Sequence, residues 1–483
     1  MTGQSSVEAH DADLIVVGCG PVGVMAALRA RQHGLSVIAV DRATDVYPLP
    51  RAIGMDDEIQ RLFATAGLLD GLRACSTPMA GAEFLDADGR RVVGIELPEG
   101  FLGPNGHPPV VAFDQPSLER LLRTAAIAAG AELRLGVEVT ALAGTTLTLG
   151  DGSTLTGRWL IGADGAKSTI RRLLGVVLED QGFDEEWVVV DTTLQDPALS
   201  LSRLATQHCD PARVVTYVPG HADRRRWEFQ FLPGETKEEM ESPTHIAELL
   251  SPWGTADQLR IDRIAVYRFH ATVADAFRVG DVFLAGDAAH QMPPFNGQGM
   301  CTGMRDVDNL VWKLGCVAAD RADDRLLDTY ETERKPHAAG QVAHAVDAGR
   351  LINAIAEGRA DDVEAGYGGG RPFPHLEAGC QVAGHHLVGR PFPQPVDDAG
   401  GFDRHLGDRF ALVTTADTVL DPVVVDRWTG AGARRVDTDP STFPGLVETG
   451  TTVVVRPDRS IAAVTTDLGA ATDALAALGL LAT

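Results

Sequence analysis

The chain has 483 residues, 44% hydrophobic and 23% charged, which excludes a largely disordered or fibrous protein and leaves room for about two or three domains. A net charge of −25 opposes phosphate backbones and argues against nucleic-acid binding. The six cysteines form no CxxC, so neither a metal ribbon nor a disulfide framework is expected, and a reducing cytoplasm is the expected location.

The first elements read as strand, glycine turn, helix and strand. Leu14-Ile15-Val16-Val17 is an apolar run suited to a buried parallel strand. GCGPVG follows at 18–23, then a helical stretch closed by Gly34, then a second strand from Ser36 to Val40 that ends at Asp41. The apolar run from Leu14 to Leu28 is shorter than the roughly 20 residues of a membrane span, is interrupted by Gly and Pro, and follows the acidic Glu8, Asp11 and Asp13. No targeting or membrane segment is expected.

Residues 76–111 hold short β-like runs, and 116–130 form an amphipathic helix. Trp159-Leu160-Ile161 reads as another buried strand, closing on GADG. From 176 to 278 the pattern alternates like antiparallel strands. In 226–231, Trp227, Phe229 and Phe231 share one face, while Arg226, Glu228 and Gln230 share the other. Val282 to Ala285 returns to the first style and runs into GDAAH. A long helix follows with Met300, Met304, Val307, Val311 and Leu314 on one stripe. Pro/Gly-rich sequence at 368–402 reads as a linker, and the last eighty or so residues as a small α/β unit.

The glycine turn carries the first chemical signal. Gly18-Cys19-Gly20-Pro21-Val22-Gly23 between a strand and a helix, with Asp41 about twenty residues on, fits a dinucleotide site. The glycines permit a tight turn, close approach to a pyrophosphate and close helix packing, while the helix start offers free N–H groups to phosphate. Asp41 is suited to ribose hydroxyls. Cys19 reads as a small filler.

Two later segments, GADGAKSTIR at 162–171 and AGDAAH at 285–290, separate FAD from NAD. With them the sequence resembles the class A flavoprotein aromatic hydroxylases, the family of para-hydroxybenzoate hydroxylase and the phenol hydroxylases. The likeness covers about residues 12–340. PLPRAIGMDDEI, RRWEFQFLPGE and PPFNGQGMCTGMRDVDNLVWKL look closest to the 3-(3-hydroxyphenyl)propionate hydroxylase-like branch.

The resemblance implies an α/β fold with a discontinuous Rossmann-like FAD domain (10–75, 109–175, 279–385). A β-rich substrate domain (76–108, 176–278) is inserted into it, and a thioredoxin-like unit (400–483) follows. It implies bound FAD, transient NADPH or NADH, and hydroxylation by O2 of a phenolic or polyketide-like aromatic through a flavin C4a-hydroperoxide, by a monomer or homodimer. The alternative is a non-oxygenating FAD-dependent oxidoreductase.

The cofactor contacts it implies are Gly18, Gly20, Pro21, Val22, Gly23, Asp41, Arg42, Arg51, Gln115, Asp164, Gly286, Asp287, Pro294, Gly297, Gln298, Gly299 and Met300. Within these, Asp287 would serve the ribityl chain, Arg51 the phosphates, and the 293–299 loop with its helix start the flavin ring. Asp41 stands where the family more usually has Glu. His290 reads as a structural histidine. Tyr217, Tyr267 and His270 are packing residues on strands, and no catalytic acid or base is assigned. Lacking CxxC, the tail reads as a structural or interface module.

Overall fold

The computed structural model describes residues 10–359, 374–397 and 400–481. The first sheet is the parallel one expected from the apolar runs. Ala12–Val17 lies at its centre between Thr154–Gly162 and Val37–Asp41. Val282–Leu284 joins on one side and Glu132–Leu135 on the other, all parallel. Leu14, Ile15 and Val16 are wholly buried, because helices cover both faces of a parallel sheet. Helix Pro21–Gln32 starts with proline in its first turn, where the missing N–H costs nothing, and packs against helix Gly299–Ala318.

The second sheet has eight strands. At its middle run two long antiparallel strands, Leu178–Leu194 and Leu259–Ala274. Arg224–Gln230, Arg213–Pro219 and Ala205–Asp210 extend it, and Gly81–Leu85 and Arg91–Glu96 complete that edge. Its two faces bury different chemistry. Trp227 and Phe229 pack with Met240, Ile246 and Leu250 under two short helices. Arg226 and Glu228, on the opposite face, are buried too, and face a cavity.

The C-terminal unit is a four-stranded sheet, Arg434–Asp437, Ala411–Thr414, Thr452–Val455 and Ile461–Thr465, with helices Pro422–Gly430 and Leu468–Ala477. It is joined to the rest by packing as well as by chain. Phe410 stands edge-on to Trp312 at 5.3 Å between ring centres, and the core of the first sheet continues into Leu412, Trp428 and Ala462. The stretch read as a linker is packed where it is described: Leu376, Cys380 and Phe392 are buried. Its residues 368–373 and 398–399 lie outside the described residues.

Candidate functional site

A cavity of about 2720 Å³ opens between the parallel sheet, the second sheet and the start of helix Gly299–Ala318. Sixteen of the seventeen expected cofactor residues line it. The exception is Gly23, and the reason is steric: a Cβ there would fall 1.9 Å from the Gly18 carbonyl oxygen. Gly23 keeps the helix close to the turn and does not face the cavity.

The other two glycines of the turn differ from it and from each other. Gly18 has φ +105°, and a Cβ on it would stand 2.3 Å from the Ala163 carbonyl oxygen. Around a Cβ on Gly20 there is nothing within 4 Å. That open space adjoins the start of helix Pro21–Gln32, which has no side-chain cap. A phosphate group fits both features: it fills the space and meets the free N–H groups. Asp41 shapes the turn directly, accepting from Cys19 N–H at 2.6 Å and Ala43 N–H at 2.8 Å. Cys19 is buried, and burial pushes its thiol up to about 12, so it is the filler the sequence suggested.

Gln115 is buried and fixes the Arg51 turn. Its Oε1 accepts from the Arg51 and Ala52 N–H groups at 2.7 and 2.6 Å, and its Nε2 donates to Glu119. The same turn is braced from the second sheet. Arg226 donates to the carbonyls of Arg51 and Pro50, and Arg263 to that of Pro50. Asp191 lies between the two guanidinium groups, 2.7 Å from Arg226 Nε and 3.2 Å from Arg263 Nη1.

Asp164 lines the cavity while capping helix Thr169–Leu174; it accepts from Ser168 Oγ and from the Thr169 and Ile170 N–H groups. Asp287 is different. Its carboxylate is open to the cavity and accepts no hydrogen bond from the described residues, and burial raises its pKa above the ordinary carboxylate value. A carboxylate exposed in the cavity with both oxygens free of donors from the described residues is available to a ligand, and polyol hydroxyls are suited to it.

Helix Gly299–Ala318 likewise starts at the cavity with no side-chain cap and no acidic residue in its first turn. Just before it, Phe295 is anchored by Trp187 and Phe269, at 5.4 and 6.1 Å between ring centres. Arg305 steadies the helix start, donating to Gln298, Glu58 and Asp56.

Residues 11–345 match the family described as FAD binding domain. The chain belongs to the FAD-binding aromatic hydroxylase family. It is 32% identical to the 3-(3-hydroxy-phenyl)propionate/3-hydroxycinnamic acid hydroxylase of Escherichia coli strain SMS-3-5, covering 94% of this chain and 92% of that one. The Shigella sonnei protein of the same name is 31% identical over the same shares. Among solved structures, aklavinone-11 hydroxylase with FAD and aklavinone superposes with a TM-score of 0.83 at 24% identity, covering 99% of this chain and all of that one. OxyS anhydrotetracycline hydroxylase from Streptomyces rimosus gives 0.74 at 26% identity, with 96% and 98% covered. The expected α/β fold is therefore that of this family, and FAD is its cofactor.

His290 is wholly buried, with Nε2 2.8 Å from Asp306 and its ring stacked on Phe277, so it serves the structure, as read from the sequence. Tyr217 is a core residue whose hydroxyl donates to the Ser202 carbonyl. His270 is exposed beside Asp184. Of the three side chains considered on strands, Tyr267 alone lines the cavity. Sequence reasoning gave no role to Asp191, Arg226, Arg263 or Glu228. The available signal was the charged alternation in Arg226-Trp227-Glu228, whose charged face turned out to be covered.

Proposed function

We propose that the protein is an FAD-dependent monooxygenase that uses NAD(P)H and O2 to hydroxylate a small electron-rich aromatic, a phenol or a larger hydroxyaromatic. One observation carries this reading. A single cavity joins the Gly20, Asp287 and Gly299 features to a sheet wall carrying Phe84, Val218, Tyr267 and Phe269. Bound FAD supplies hydride acceptance from the nicotinamide and activation of O2.

The chain's own residues supply the rest. Gly20 and the first turn of helix Pro21–Gln32 take the pyrophosphate, with Arg42 and Arg51 at the same wall. Asp41 keeps lone pairs for ribose hydroxyls, and Asp287 accepts from the ribityl chain. The uncapped N–H groups at Gly299 and Met300 favour negative charge at the cavity end they face. The aromatic side chains of the sheet and Phe295 exclude water from the ring to be hydroxylated.

The remaining cofactor assignments made from the sequence, and the division into FAD, substrate and C-terminal domains, belong to the same proposal. So does a cytoplasmic location, where reduced nicotinamide is available and free thiols persist.

The test is product mass after turnover of a phenol and polyketide panel under isotopically labelled O2. One labelled oxygen ortho or para to an existing hydroxyl is expected. Label from water, or a desaturated product with no new oxygen, would replace the reading with a flavin dehydrogenase.

A further inference from the structure

Across the second sheet, one row of directly paired residues runs Phe84, Gln207, Thr216, Glu228, Val189 and Ala265. Phe84, Gln207, Thr216 and Glu228 line the cavity. Glu228 sits between two contacts that tie this sheet to the cofactor segments. Two residues before it on the same face, Arg226 holds the carbonyls of Pro50 and Arg51. Two residues after it, Gln230 pairs with Trp187, on which Phe295 of the cofactor loop rests. The carboxylate is thus on the substrate wall, between the Arg51 turn and the loop that leads into helix Gly299–Ala318.

Its bonding is incomplete. Glu228 is 5% exposed, yet accepts no hydrogen bond from the described residues. Its nearest cation, Arg226 Nη1, stands 3.9 Å away and donates to the Arg51 carbonyl. A buried carboxylate without a donor needs one from a ligand.

Thr216 and Asp191, the polar groups beside it on the neighbouring strands, are engaged. Thr216 donates to Gln207 at 2.6 Å, and Asp191 is held by Arg226 and Arg263.

We propose that Glu228 is a catalytic residue that accepts the proton of the substrate's ring hydroxyl. The proposal rests on the hydroxylase reading above. In the step, the ring O–H bond breaks, its electron pair stays on the ring oxygen, and an O–H bond forms on the Glu228 carboxylate. The ring becomes more electron-rich and a better nucleophile toward activated oxygen. The proton leaves with the water that monooxygenation releases, which restores the carboxylate.

The charged groups around Glu228 agree with this use. Arg226 on its own strand, Asp191 on the neighbouring one and Arg263 beyond it carry two positive charges and one negative, so the set balances with Glu228 ionised, the form that accepts a proton. Burial pushes the Glu228 carboxyl up to about 7, with Arg226 opposing and Asp191 adding to the shift. A base poised near the working pH is effective in both protonation states of its cycle.

The experiment uses the phenol that the parent enzyme hydroxylates in the panel, together with its ring-fluorinated analogue, whose hydroxyl ionises at lower pH. In the parent, kcat/KM for hydroxylation should rise as pH passes through about 7 with the phenol. It should rise less with the analogue. Glu228→Gln should lower hydroxylation of the phenol about 100-fold or more at neutral pH. The analogue, or a pH high enough to ionise the phenol in solution, should recover much of that loss. FAD content, read by absorbance, identifies a misfolded variant.

A flat parental profile from pH 6 to 8.5 would overturn the assignment, and that readout needs no variant. So would parental rates in Glu228→Gln, or a loss that neither the analogue nor high pH repairs. If the parent hydroxylates no phenol, the hydroxylase reading fails with it; if it does and Glu228→Gln is silent, only the residue assignment fails.

Discussion

Arg456 of the C-terminal unit forms a fully buried ion pair with Glu333 of helix Arg325–Ala356, its Nη2 2.8 Å from Oε2. Lys313 stands 2.8 Å from the same oxygen, and Arg456 also holds Asp458, with Nη2 2.5 Å from Oδ2. Burial alone would raise the Glu333 carboxyl, but the Arg456 and Lys313 charges outweigh it and hold the pKa far below the ordinary 4.5. Removing one partner from a buried pair typically costs about 3–5 kcal/mol, because it strands the other charge. Arg456→Met should therefore destabilise the protein by about that amount, measured as a shift in urea midpoint. Glu333 titrates with a depressed folded pKa, so its contribution is full above about 4.5 and is lost as pH falls below it. The variant's deficit should accordingly shrink in acid.

Truncation before residue 400 tests the same interface from the other side. The tail brings Asp403 to Arg61 and Asp408 to Arg29, each through paired guanidinium contacts of 2.6 to 2.7 Å. Both arginines are buried; without the tail Arg61 loses its carboxylate partner, Arg29 keeps only the Asp308 carboxylate at 3.3 Å, and Glu333 keeps Lys313 but loses Arg456. The tail has no redox dithiol, so its expected role is folding rather than chemistry. The truncated chain should be largely insoluble; a soluble form that binds FAD and substrate but fails to hydroxylate would assign the tail a chemical role instead.

The three glycines of the first turn should separate in a melting experiment with and without FAD. Gly18→Ala and Gly23→Ala push a Cβ onto backbone oxygens at 2.3 and 1.9 Å, so the apo protein itself should melt lower. Gly20→Ala meets open space and should leave the apo protein folded. Its cost should appear as a reduced upward shift of Tm on adding FAD. Equal apo melting temperatures for all three would contradict the division of roles.

The parallel sheet, the glycine turn and the GDAAH segment were legible because their signals are local. A continuous apolar run, a fixed glycine spacing and a strand-to-turn junction need no knowledge of distant partners. The bracing of the Arg51 turn was not legible. Asp191 and Arg226 are 35 residues apart, and Arg305 and Asp56 are separated by 249. Each residue alone resembles a solvated surface charge, and only the sheet register and the helix packing bring them together. Gly23 shows the converse: its place in the motif was plain, but whether it faced a ligand or a carbonyl depended on the curvature of the turn.

The bracing gives a prediction of its own. Gln115→Ala leaves the Arg51 and Ala52 N–H groups without their acceptor, each loss worth about 1–3 kcal/mol when buried. The turn should loosen, and FAD affinity should fall although Gln115 is not the residue assigned to phosphate. Gln115→Glu keeps an acceptor oxygen for both N–H groups and should retain more affinity. FAD dissociation followed by flavin fluorescence distinguishes the two.

Asp287 offers the most direct check of the cofactor end. Its carboxylate lies in the cavity after strand Val282–Leu284, and no donor from the described residues satisfies it. In the bound state, hydroxyl donors of the ribityl chain would do so. Asp287→Asn keeps the shape and one acceptor oxygen but loses the charge; Asp287→Ala loses both acceptors. A hydrogen bond to a charged group contributes about 1.5–3 kcal/mol, so Asp287→Ala should weaken FAD by roughly ten- to a hundredfold, with Asp287→Asn between it and the parent. The apo stability should barely move. Asp287 is exposed to the open cavity and makes no hydrogen bond with the described residues, so Asp287→Asn should melt close to the parent without FAD. Tighter FAD binding by the parent with unchanged apo stability is the signature of a residue kept for a ligand. Parental FAD affinity in Asp287→Ala would remove the residue from the cofactor site.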